Sequence, residues 1–104
     1  MVKQLILIKR KAGMTFEEFK RHYLEVHAPL VLKTFPEMKK YSVNLALQRG
    51  KETAYDAIAE IDWPDFDTLS KTGKSDLYKS VIRPDEEKFI GDARVILTEE
   101  YVQK

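Results

Sequence analysis

The sequence predicts an α+β fold, a sandwich of one four-stranded antiparallel sheet with helices on a single face. Three observations carry that expectation. Four segments have strand character, at residues 2–8, 41–48, 55–63 and 94–102. Helical spacing with helix-start chemistry follows the first and the third. Only the loop Arg49-Gly50-Lys51-Glu52-Thr53 separates the second from the third. The resulting order, β-α-β-β-α-β, is the ferredoxin-like plan. Residues 1–104 are read as a single domain, with no repeat, linker or low-complexity segment.

The first strand is a β-branched apolar run in which Leu5 and Leu7 face one way and Ile6 and Ile8 the other. A strand apolar on both faces is buried on both. Gly13 punctuates the turn that follows. Thr15 with Glu18 three residues on makes a capping box, and Phe16, Phe19, Tyr23, Val26, His27 and Leu30 form one apolar stripe on the helix. Pro29 is expected to kink that helix or end its regular part, and Pro36 to stop it.

Tyr41, Val43, Leu45 and Leu47 alternate with polar or small residues as the second strand. Ala57, Ala59 and Ile61 share one face of the third. Pro64 suits the first turn of a helix bearing Phe66 and Leu69, with Asp62 and Asp65 serving its start. Ser75 caps a further helix through Leu77, Tyr78, Val81 and Ile82. Pro84 and Asp85 open a last short turn holding Phe89 and Ile90.

Helices cover one face of the sheet, and because Leu5, Ile6, Leu7 and Ile8 make the first strand apolar on both faces, the other face needs a partner. A standard interface of about 1,600 Å² corresponds to roughly 40 kcal/mol of gross apolar transfer if wholly apolar, much of it offset by association costs. Sheet-to-sheet homodimerisation is therefore expected.

Composition narrows the function classes. Lys+Arg 18 against Asp+Glu 17 gives a net charge of +1, and no strand carries an RNA-binding aromatic signature, so nucleic acid is not expected as a partner. The run Lys9-Arg10-Lys11 reads as a solvated turn. The absence of cysteine excludes disulfides and thiolate chemistry. No apolar run reaches the roughly 18 residues of a membrane span, and because the chain opens on a strand pattern no signal peptide is expected. A cytoplasmic protein without cofactor or metal is the expectation.

Histidine is the side chain best suited to proton transfer near neutral pH. His27 sits on the apolar face of the first helix, four residues after Tyr23. Two roles are open to it: a structural ring bonded to a backbone carbonyl, or a base facing a pocket. His22 lies about 140° away on the helix, so the two cannot chelate one metal as i, i+4 histidines do. Glu18, four residues earlier, is the expected solvated partner of His22. Glu99 and Glu100 face opposite sides of a strand and form no acid/base dyad. Tyr23, Trp63, Phe66 and Phe89 are the aromatics expected to wall a pocket for a small apolar or aromatic ligand.

The residues Thr15-Phe16-Glu17-Glu18-Phe19, Tyr23 and His27-Ala28-Pro29-Leu30 also resemble the signature of the EthD-like family, within the dimeric α+β-barrel superfamily. The lead-in Lys9–Met14, the tail residues 85–90 and Thr98-Glu99-Glu100 resemble it too, so the likeness covers nearly the whole chain. It implies two sheets closing into one barrel with helices outside. It implies a cofactor-independent acid/base enzyme of isomerase, cyclase or monooxygenase type, or else a non-catalytic ligand-binding or accessory protein of ether or xenobiotic degradation. In the isomerase branch the histidine of this motif lines a pocket with a tyrosine at the start of strand 2, a position that Tyr41 matches. A catalytic His27–Tyr41 pair would then supply a base and a hydrogen-bond donor to a developing oxyanion. Where the family often carries a histidine after the Glu-Glu pair, this chain has Tyr101. The Asn-Trp-His set of haem-degrading relatives has no counterpart that Asn44 and Trp63 could complete.

If His27 is functional, its replacement is expected to leave stability nearly unchanged. A structural histidine would cost about 1 to 3 kcal/mol.

Overall fold

Hydrophobic alternation and the helix caps resolve into four strands and two interrupted helices in the computed structural model, which describes residues 1–104. The strands are β1 (Val2–Arg10), β2 (Lys40–Leu45), β3 (Ala57–Trp63) and β4 (Ile90–Thr98). They form one antiparallel sheet in the order β2-β3-β1-β4. The ferredoxin-like plan is what the chain adopts. β4 begins four residues earlier than the sequence pattern suggests and ends before Glu99. The pairing of Arg10 with Ile90, past a register shift, recruits those early residues.

The first helical arm runs through α1 (Phe16–His22), a wide π turn (Tyr23–His27) and α2 (Ala28–Thr34). The second runs through α3 (Phe66–Lys74), a π turn (Tyr78–Ile82) and α4 (Arg83–Phe89). The capping box is present: Thr15 Oγ1 accepts from the Glu18 amide at 3.1 Å, and Glu18 Oε1 from the Thr15 amide at 2.8 Å. Asp65 caps α3 by accepting from the Thr68 amide at 2.7 Å, whereas Asp62 pairs with Lys3 at 3.4 Å.

Pro29 neither ends nor simply kinks its helix. A proline cannot donate to the preceding turn, and its ring excludes the carbonyl four residues back. The turn ahead of it is widened, closing with a bond from the Ala28 amide to the Tyr23 carbonyl. Pro84 is handled in the same way, with Arg83 donating to Tyr78. Each wide turn begins with a tyrosine six residues before a proline.

Both arms cover the sheet face bearing Ile6, Ile8, Ala57 and Ala59, with Phe19, Tyr23 and Phe89 as the packed layer above. A second cluster of Val31, Phe35 and Ile82 fills the space between the arms. The other face is bare. There Leu5 lies opposite Ile96 and Leu7 opposite Ile58, with Lys3, Glu60 and Asp62 beside them.

Candidate functional site

The wide turn at Tyr23–His27 places both of its terminal side chains inward; each is buried. Their rings meet edge to face at 5.7 Å. Phe89 stands against both, 5.1 Å from Tyr23 and 4.8 Å from His27. His22, one turn earlier, also rests on Phe89 at 4.8 Å.

Asp85, from α4, joins the two histidines. His27 Nδ1 lies 2.9 Å from Asp85 Oδ2, and His22 Nε2 lies 3.0 and 3.1 Å from the two carboxyl oxygens. A carboxylate only accepts, so Nδ1 of His27 donates to it. This fixes the Nδ1–H tautomer and leaves Nε2 as the basic ring atom. Burial is the largest influence on His27 and holds it below its ordinary value; the Asp85 carboxylate acts in the opposite sense without reversing it. Burial also pushes the Asp85 carboxyl up, but the hydrogen bonds from the two histidines outweigh that effect and keep it below its ordinary value. The site therefore holds a neutral imidazole on an ionised carboxylate at neutral pH.

His27 borders a cavity of about 330 Å³ between the helical arms and the sheet. The sheet contributes Gln4, Ile6, Ile61, Trp63, Ala93 and Val95. The arms contribute Tyr23, Val31, Tyr78, Ile82 and Glu86, with Tyr41 from β2. Trp63 is oriented by a bond from its Nε1 to Gln4 Oε1 at 2.9 Å. The lining is mostly apolar, with a polar patch of Tyr23, Tyr41, Tyr78, Glu86 and His27. Burial, and then the neighbouring Tyr41 phenol, push the Tyr23 hydroxyl far up. Tyr41 is pushed up to about 12, chiefly by burial. Both are protonated hydrogen-bond donors at neutral pH.

The residues singled out from sequence divide into two groups. His27, Tyr41, Tyr23 and Trp63 border one cavity. Phe66 and Phe89 do not. Phe66 is 58% exposed on the outside of α3, and Phe89 is 0% exposed beneath the histidines, so neither faces the cavity. His22 does not pair with Glu18, which is used by the capping box; it turns to Asp85 instead. Asp85, expected only to open a turn, is buried and central, and Glu86 beside it lines the cavity. The sequence marks the turn that leads into them but not the carboxyls themselves. The spacing Tyr78…Pro84 repeats Tyr23…Pro29, so the second arm carries a wide turn like the first. No set of three histidine or acidic side chains is arranged to hold a metal ion.

Solved structures share this fold. An EthD (ethyl tert-butyl ether D) family protein from Bacillus halodurans superposes with a TM-score of 0.76 at 24% identity, over 97% of this chain and 99% of that one. An EthD-like protein from Ralstonia eutropha gives 0.76 at 15% identity, over 99% and 94%. A dimeric protein of unknown function with a ferredoxin-like fold, from Bacteroides fragilis, gives 0.70 at 12% identity, over 95% of each chain. No curated protein matches the chain. The model of the EthD domain matches residues 11–93, which include the capping box, His27, Tyr41, Asp85 and Glu86: the chain belongs to the EthD family.

Proposed function

We propose that this protein is a cofactor-independent acid/base enzyme acting on a small apolar or aromatic organic compound, and that it works as a homodimer. The observation that supports the catalytic reading is the His27–Asp85 pair at the wall of an apolar cavity. A buried carboxylate behind Nδ1 orients the ring and stabilises the imidazolium that forms when Nε2 takes a proton. Tyr41 and Tyr23, held protonated, donate to an oxygen on which charge develops. The dimer is supported by the bare sheet face with Leu5, Leu7, Ile58 and Ile96, and by relatives described as dimeric.

Trp63 is the only tryptophan and lines the cavity, so its fluorescence reports occupancy. A panel of neutral aromatic and alicyclic compounds is incubated with the protein in deuterium oxide and followed by proton NMR. The expected result is hydrogen exchange or conversion of at least one compound that quenches Trp63, lost in His27→Gln. Quenching without His27-dependent turnover would instead make this a ligand-binding or accessory protein of a degradation pathway.

A further inference from the structure

The cavity also contains a carboxyl, for which the His27–Asp85 pair leaves no role. Glu86 follows Asp85 directly on α4, yet the two side chains go to different places. Asp85 lies behind His27, paired with two histidines and, at 3.9 Å, with Lys88. Glu86 lines the cavity and has no cation within ion-pair distance. Its one hydrogen bond comes from Tyr78, whose hydroxyl donates to Oε1 at 2.6 Å. A half-buried carboxyl with one oxygen engaged and no ion-pair partner favours its protonated form. Burial raises Glu86 above its ordinary value; the Tyr78 hydrogen bond and the charge of Arg83, whose guanidinium lies 5.2 Å from the centre of the Tyr78 ring, only partly oppose this. The Glu86 charge is felt at both Tyr23 and Tyr41, so the acid lies on the phenol side of the cavity.

The remaining lining restricts the ligand. No lysine or arginine borders the cavity, so an anionic ligand would meet no opposite charge there and would lose its hydration uncompensated. A neutral molecule with one oxygen acceptor on an apolar body meets the donors at one end and Ile6, Ile61, Ile82 and Val95 along the rest.

We propose that Glu86, hydrogen-bonded to Tyr78, is the proton donor opposite His27, and that the substrate is a neutral carbonyl compound carrying hydrogen on the carbon next to the carbonyl. This rests on the reading of His27 as a base. His27 Nε2 takes the proton from that carbon, and the C–H electron pair becomes the C=C bond of an enol. The C=O π pair moves onto oxygen, which takes the proton of Glu86. Glu86 is then a carboxylate held by Tyr78, and His27 an imidazolium held by Asp85. Return of the His27 proton to the same or a conjugated carbon, and of the enol proton to Glu86, restores both groups. The net result is hydrogen exchange or a shifted double bond, with no oxidant, reductant or metal consumed.

The test follows exchange of the α-hydrogens of α-tetralone, a neutral aromatic ketone, in deuterium oxide. Tetralin, which lacks the oxygen, and naphthoate, which carries a charge, are compared by Trp63 quenching. Wild-type protein is expected to accelerate exchange and to bind the ketone in preference to both other probes. Glu86→Gln, close in shape, should lower the exchange rate by about 100-fold or more while the ketone still quenches Trp63. Tyr78→Phe, which leaves the carboxyl in place, should shift the high-pH limb of the rate profile without abolishing exchange. Thermal melts of each variant establish that it is folded. Exchange unchanged in Glu86→Gln but lost in His27→Gln overturns the donor role and leaves the base standing. Exchange indifferent to His27 removes the base, and with it this proposal. Naphthoate bound more tightly than the ketone contradicts the neutral substrate class, and exchange absent from the wild type overturns both readings.

Discussion

Asp85 Oδ2 lies 2.9 Å from Nδ1 of His27, across 58 residues of chain and between the two helical arms. That contact couples the arms and fixes which nitrogen of the imidazole is basic. Replacing Asp85 with Asn keeps the shape but removes the charge. The expected loss is about 1.5 to 3 kcal/mol, the range for a hydrogen bond to a charged group. In a domain of this size it appears as a melting shift of about 4 to 8 °C per kcal/mol. A variant melting with the wild type would show that the carboxylate does not hold the histidines.

The pKa shifts set how stability varies with pH. Burial holds His27 below its ordinary 6.5, so the unfolded chain takes up this proton first. Stability contributed by His27 is present above 6.5 and lost as pH falls from there through the folded value. Asp85 is held below its ordinary 3.8, so its contribution is lost as pH falls from there through the folded value. Glu86 is raised above 4.5 and has the opposite sign, its folded form losing stability as pH rises through that window. Melting temperatures from acid to neutral pH should therefore fall on acidification, less steeply in His27→Gln and more steeply in Glu86→Gln. Identical slopes in all three proteins would contradict the assignment.

The dimer is tested on the bare face of the sheet. Light scattering at micromolar concentration should give twice the chain mass. Ile96→Lys, at a half-exposed position opposite Leu5, should yield a folded monomer. A monomeric, well-folded wild type would leave the Leu5–Ile96 face without explanation.

Purified protein is expected to carry no flavin, haem or stoichiometric metal. An absorbance spectrum and elemental analysis decide this, and iron or zinc bound at one per chain would overturn the assignment of Asp85 as a hydrogen-bond acceptor.

The fold was largely legible because its signals are local. The alternation in β2 and β3, the Thr15–Glu18 box and Gly13 each act within a few residues. The candidate site was half legible. His27, Tyr23 and Tyr41 stand in a helix and a strand whose inward faces the sequence pattern reveals. Asp85 and Glu86 were not, because nothing local distinguishes a carboxyl that packs behind a distant histidine from one that solvates a turn. Only the antiparallel approach of the two arms makes that difference. Phe66 and Phe89 miss the cavity for the converse reason: apolar spacing marks a helical aromatic without deciding whether it faces core, cavity or solvent. The wide turn at Tyr23–His27 also changes the expectation for His27. Its ring bonds a side-chain carboxylate and not a backbone carbonyl, so removing it takes a hydrogen bond from the buried Asp85 whether or not the ring is catalytic. Melting shifts of His27 variants therefore do not separate the two roles.

Nitrogen-15 NMR of the imidazole rings separates them directly, with only two histidines to assign. At neutral pH His27 should be neutral with its proton on Nδ1, should titrate below 6.5, and its Nε2 resonance should move when α-tetralone fills the cavity. A proton on Nε2, or a ring that titrates above the ordinary value and ignores every cavity ligand, would contradict the account of His27 as a base held by Asp85.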